Sequence, residues 1–197
     1  MPVNLDEIVA IDIHTHAEEP CDTCRDDGYN EFQAGMANYF KNPAGAAGML
    51  PTVQETAAYY RERKIAAVIF PVDGERETGF KRYHNEEVAQ ICAENDDILI
   101  PFASIDPHKG KMGAREARRL VRDFGVKGFK FHPTMQGFYP NDRMAYDLYE
   151  AIADEGAISL FHTGQTGVGS GMRGGMGMRL KYRSEEHTSE LQSPCNL

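Results

Sequence analysis

Five short apolar runs recur along the chain: IVAIDIH (8–14), IAAVIFPVD (65–73), ILIPFASID (98–106), VKGFKFHP (126–133) and AISLFHTG (157–164). Each is nearly continuous in apolar residues, as parallel strands covered on both faces are. Between them, 53–64, 84–95, 112–124 and 143–155 predict helices. In the last, Met144, Leu148 and Ile152 keep a helical spacing, and Gly156 suits the C-terminal stop. Alternating strand and helix predicts an α/β protein with right-handed crossovers and a parallel sheet.

Three segments break the rhythm. Residues 17–52 form a long, glycine-bearing insertion after the first strand. Residues 164–177, GQTGVGSGMRGGMG, follow the fifth strand and hold seven glycines. That composition suits either a flexible linker or a loop over a site. Residues 183–197, RSEEHTSELQSPCNL, continue neither the strand nor the helix pattern. Arg183 to Ser193 also match, over eleven successive residues, the in-frame translation of a common sequencing-library adapter. The expected division is therefore 1–182 as barrel and 183–197 as a foreign tail, with no functional weight on His187 or Cys195.

Composition narrows the partners. A chain of 197 residues, 41% hydrophobic and 26% charged, is long enough for one domain with a real core. Its net charge of −9 disfavours nucleic acid or an anionic membrane, which ask for a basic footprint. No apolar run nears the ~18 residues of a bilayer span, and MPVNLDEI lacks the features of a signal peptide. A cytoplasmic location is expected. Of the four cysteines only Cys21 and Cys24 are close together. CDTC there is half of a four-ligand zinc site, a redox pair, or two loop cysteines without a role.

The chemistry gathers at strand ends. Side chains alternate along a strand, so Asp12, His14 and His16 are expected on one face, with Thr15 on the other. Same-face neighbours stand about 6.6 Å apart, and two imidazoles leaning inward can meet one ion at about 2.1 Å. The competing reading is a pair of polar residues ending a buried strand. His132 in KFHP and His162 in LFHTG end the fourth and fifth strands. A parallel barrel brings the C-terminal ends of its strands together at the face where such enzymes react. Three strand ends delivering histidine there point to a convergent metal site.

DIHTH (12–16), GVKGFKFHP (125–133) and LFHTG (160–164), in this order, resemble the amidohydrolase superfamily over residues 1 to about 182. The nearest branch is the amidohydrolase-related group that includes aminocarboxymuconate-semialdehyde decarboxylase. FHPTMQGFYPND (131–142) is also similar to 4-hydroxyphenyl-β-ketoacyl-CoA hydrolases. The resemblance implies a (β/α)8 TIM barrel, here about five βα units. It implies His14, His16 and His162 as ligands of one divalent metal ion, usually zinc. Lys130 matches a strand where other branches carry a carboxylated lysine. In this branch Lys130 and His132 are read as substrate-facing, against a barrel ion pair for Lys130 and plain hydrogen bonding for His132. A strand-six histidine and a strand-eight aspartate, which the resemblance implies for acid–base work, are not in the chain. The polypeptide as written is expected to be incompetent.

Arg173 in the glycine-rich loop is either an anion clamp or a solvated loop arginine. For the intact protein the first expectation is a metal-dependent hydrolase of a small carbonyl or carboxylate compound, with an aromatic catabolite or a β-ketoacyl-CoA as candidates. A carboxy-lyase of the same family is the alternative. A barrel nuclease or phosphoesterase and a non-catalytic metal-binding protein are the competing classes. Partners are a small-molecule substrate, with neither nucleic acid nor membrane; a homo-oligomer stays open for the full-length form.

Overall fold

A computed structural model describes residues 2–17, 51–79 and 81–163. Within them, five strands form one parallel sheet in the order β1 (Ala10–His16), β2 (Ile65–Phe70), β3 (Leu99–Ala103), β4 (Gly128–Phe131) and β5 (Ile158–Phe161). The long helices are α1 (Val53–Glu62), α3 (Asn85–Glu94), α4 (Lys111–Phe124) and α6 (Tyr146–Asp154). Single turns α2 (Glu75–Thr78) and α5 (Pro133–Gln136) follow β2 and β4. Neighbours in sequence are neighbours in the sheet, so this is a run of βα units. Among the described residues no helix is long and apolar enough to cross a membrane.

Local chemistry places the helices. Thr52 and Glu55 cap α1 reciprocally, each side chain taking the other's backbone N–H. α4 stops at Gly125, whose φ of 69° is open to glycine at little cost. Each inner strand then buries two faces. In β2, Ala67 and Ile69 pack outward with Val53 and Ala57 of α1 and Val88 and Cys92 of α3. Val68 and Phe70 pack inward with Phe102 of β3. In β4, Phe129 and Phe131 face the helix layer with Leu120, Leu148 and Ile152. By alternation Gly128 and Lys130 face inward, and His132 follows them.

Two expectations change. β1 sits two residues later than the apolar run suggested, because Ala10 pairs with Ile65 while Val9 is left solvent-exposed. Asp12 does not share a face with His14 and His16. Asp12 lies opposite Ala67 but Thr15 opposite Ile69, three residues against two, so a bulge rephases the strand. The insertion at 18–50 with Cys21 and Cys24, the loop at 164–177 with Arg173, and the tail at 183–197 lie outside the described residues.

Candidate functional site

The bulge decides where the β1 side chains go. Asp12 and Thr15 turn to the helix layer, where both meet Tyr60 of α1. Tyr60 Oη donates to Asp12 Oδ2 at 2.6 Å and lies 3.2 Å from Thr15 Oγ1. The other Asp12 oxygen accepts the backbone N–H of His14 at 2.9 Å. His14 and His16 turn inward onto Phe70, with ring centroids 5.5 and 4.9 Å from it. Their Nε2 atoms face each other at 3.2 Å. Two nitrogens bound to one tetrahedral ion at about 2.1 Å stand roughly 3.4 Å apart, so the pair has the spacing of two ligands. An imidazole pair sharing one proton has the same spacing.

β4 and β5 supply the opposite wall. The register Phe131↔Phe161 makes His132 and His162 the next rung, and His162 N–H extends the ladder to Phe131 O at 2.9 Å. Their rings stack at 4.2 Å, inclined by 10°. Lys130 is wholly buried; its Nζ lies 5.0 Å from the Phe70 ring centroid and makes no hydrogen bond with described residues. The ion-paired barrel lysine is therefore not what these residues form. Phe70, at the end of β2, is the floor common to His14, His16 and Lys130.

Burial and mutual repulsion keep the site from collecting protons. Burial, then His14, Lys130 and His162, push His16 down to about 3. His14 moves the same way through burial and Lys130, with Asp12 opposing. Burial and the neighbouring His162, Lys130 and His16 hold His132 well below the usual imidazole value. Burial alone lowers Lys130 to about 8. At neutral pH these imidazoles are neutral with lone pairs to offer, and Lys130 still carries most of its charge.

The strand ends are tied by a polar network that the apolar pattern could not reveal. His132 N–H donates to Gln136 Oε1 at 2.8 Å. Gln136 Nε2 in turn donates to Asp73 O at 3.1 Å and Ile105 O at 3.2 Å. Ser104 donates to Lys130 O at 2.8 Å and accepts from Asp73 N–H at 3.0 Å. Asn85 holds both backbone groups of Ser104 at 2.9 Å. Beside it Arg76 binds Asp106 Oδ2 at 3.0 Å and Gln136 O at 2.7 Å. Polar residues in PVD and ASID after β2 and β3 were the only sequence signal for this lattice.

The structure thus brings His14 and His16 into one pair and gathers Lys130, His132 and His162 on the same inner face. It does not close a ligand shell: among the described residues no three His, Cys, Asp or Glu side chains are grouped to hold a metal ion.

The amidohydrolase family model matches residues 11–192, and the chain belongs to that family. No curated protein sequence matches it. An uncharacterized TIM-barrel protein from Bordetella bronchiseptica superposes with a TM-score of 0.64 at 16% identity, covering 94% of this chain and 63% of that one. 5-Carboxyvanillate decarboxylase LigW from Sphingomonas paucimobilis gives 0.58 at 17% identity, covering 78% of this chain and 51% of its own. 2,6-Dihydroxybenzoate decarboxylase from Rhizobium gives 0.51 at 14%, covering 79% and 50%. The chain therefore spans between half and just under two thirds of these structures. At such identities they establish the fold, five strands of a TIM-type barrel.

Proposed function

We propose that this amidohydrolase-family chain contributes to a metal-dependent hydrolase that acts on a small carbonyl or carboxylate compound. The facing Nε2 atoms of His14 and His16, 3.2 Å apart on the inner face, carry the reading. Both rings are kept neutral, as nitrogen ligands must be. His14 and His16 would supply two nitrogens of the site and His162 a third, with zinc the first choice for an imidazole set. The acid–base histidine and aspartate that the family resemblance implies would come from strands other than these five.

What a bound ion would contribute is Lewis acidity. The chain's own residues do the rest. Lys130 presents a buried positive charge with no protein acceptor among the described residues, and a substrate carboxylate would answer it. Arg173 would clamp a second anionic group. Phe70 gives an apolar floor that excludes water and strengthens that ionic contact.

The test is metal uptake by the purified chain after incubation with zinc or manganese, counted by elemental analysis. One ion per chain is expected, lost in His14→Ala and in His16→Ala. Equal uptake by these variants, or none by the wild type, would remove the proposal.

Lys130 also supports a second reading, a carboxy-lyase of the same family, because a buried cation suits a substrate that enters as an acid. Two of the fold neighbours are named as decarboxylases of aromatic acids. Carbon dioxide release from an aromatic acid, against hydrolysis of an amide or thioester, separates the two activities in an intact barrel.

A further inference from the structure

We infer that Gln136 is a positioning residue. Its side-chain amide stands in for a main-chain rung between β3 and β4, and so sets where His132 and, beyond it, His162 stand on the inner face. That this placement serves a metal site rests on the reading above.

Main-chain pairing between β3 and β4 is short. It covers Phe102↔Gly128 and Ala103↔Phe129, whereas β4 stays paired with β5 as far as Phe131↔Phe161. Carried on in the same register, a parallel ladder would set His132 N–H against Ile105 O. Instead the Gln136 amide lies between these two groups, accepting from His132 N–H at 2.8 Å and donating to Ile105 O at 3.2 Å. Two hydrogen bonds in series replace one of about 2.9 Å, so the end of β4 is held off β3 by the breadth of an amide. Next to it Ser104 Oγ donates to Lys130 O at 2.8 Å, a second side-chain rung.

The partners fix which way the amide lies. An N–H can only donate and a carbonyl only accept, so Oε1 must face His132 N–H and Nε2 the carbonyls of Asp73 and Ile105. Gln136 also donates its own backbone N–H to His132 O at 2.9 Å, and thus grips His132 by both backbone groups. Its side chain is wholly buried, away from the water that would otherwise take its place. The grip passes on to β5, because His162 N–H bonds Phe131 O at 2.9 Å and the two imidazoles stack at 4.2 Å. A sheet that closed β4 directly onto β3 would carry both rings with it.

Two measurements on the full chain decide it. In the wild type both side-chain N–H protons of Gln136 should exchange slowly with deuterium in NMR spectra, as buried donors to backbone carbonyls do. Exchange as fast as that of the exposed Gln54 and Gln90 would overturn the inference. The second uses Gln136→Met, which keeps the bulk and removes the amide's hydrogen bonds. The His132 and His162 ring signals of the folded variant should leave their wild-type positions, because the stack moves. A residue that only adds stability would lower the unfolding midpoint and leave those signals in place, and that result would overturn the positioning role.

On the metal reading, zinc affinity should also fall roughly tenfold in Gln136→Met. Full affinity there would overturn the link from Gln136 to the metal site. If the wild type takes up no zinc, the metal reading fails, and the ring signals still decide the placement. Should Gln136→Met fail to fold, amide exchange in the wild type still tests the rung.

Discussion

Tyr60 and Asp12, separated by 48 residues, meet at 2.6 Å, and that contact sets the phase of β1. Asp12 spends one oxygen on the tyrosine hydroxyl and the other on His14 N–H, so the bulge is held from the helix layer. The phenol and the amide hold the Asp12 carboxyl below the usual carboxylate range.

Tyr60→Phe removes the contact with little change of shape. Asp12 is partly exposed and water can replace the hydroxyl, so the expected loss in urea unfolding is about 1 kcal/mol. If His14 and His16 hold an ion as proposed, its uptake should weaken more visibly, by roughly fivefold, because the bulge is freed to slip. Unchanged metal affinity would show that Tyr60 does not position the pair. The sign with pH follows from the lowered Asp12: its contribution is present above the unfolded carboxylate value near 3.9 and is lost as pH falls through the lower folded value.

The five strands were legible as short, nearly continuous apolar runs, and the four long helices because their apolar spacing and stops are local. The bulge was not. Asp12-Ile13-His14-Thr15-His16 reads as plain alternation, and what breaks it is a tyrosine on a helix far along the chain. The histidines were legible as strand ends, whereas the His132–His162 stack depends on the β4–β5 register. The turns α2 and α5 escaped notice because long-range polar contacts hold them: Arg76 of α2 binds Asp106, and Gln136 of α5 binds Asp73 and Ile105. Lys130 was legible as an inward strand residue but not as a buried charge without an acceptor among the described residues.

Gly128 is the tightest point of the inner face. A Cβ there would lie 2.4 Å from two Phe102 ring carbons and 2.8 Å from Ile158 O. The carbonyl cannot swing aside without breaking the β4–β5 ladder, so Gly128→Ala should cost about 1–3 kcal/mol. Thermal unfolding measures it; a variant as stable as wild type would mean that Phe102 repacks freely.

Cys92 lies in the core between α3 and β2, and burial pushes its thiol up to about 12. It should resist iodoacetamide near pH 8 in the folded chain and react in urea. Peptide mass spectrometry can follow this one residue apart from the other cysteines. Rapid native labelling at Cys92 would show that α3 opens readily.

Lys130 has a destabilising charge whose removal reveals its cost. Its amine titrates at about 8 when folded and near 10.4 in an unfolded chain. Between those values the unfolded state binds more protons, so stability rises with pH through that window; below it the penalty is present in full. Lys130→Met keeps most of the apolar stem, one heavy atom shorter, and has no charge to desolvate. The variant should be more stable than wild type at neutral pH, with the gap narrowing from about pH 8 toward 10. Reading the difference between the two chains cancels other groups that titrate there, such as Cys92. On the proposed reading, in which a substrate carboxylate answers that charge, the same variant should bind an acidic probe at least tenfold more weakly. Urea unfolding at both ends of that pH window, with probe titration, tests the pair. A gap that does not change with pH would mean the amine finds solvent or a counter-charge in solution.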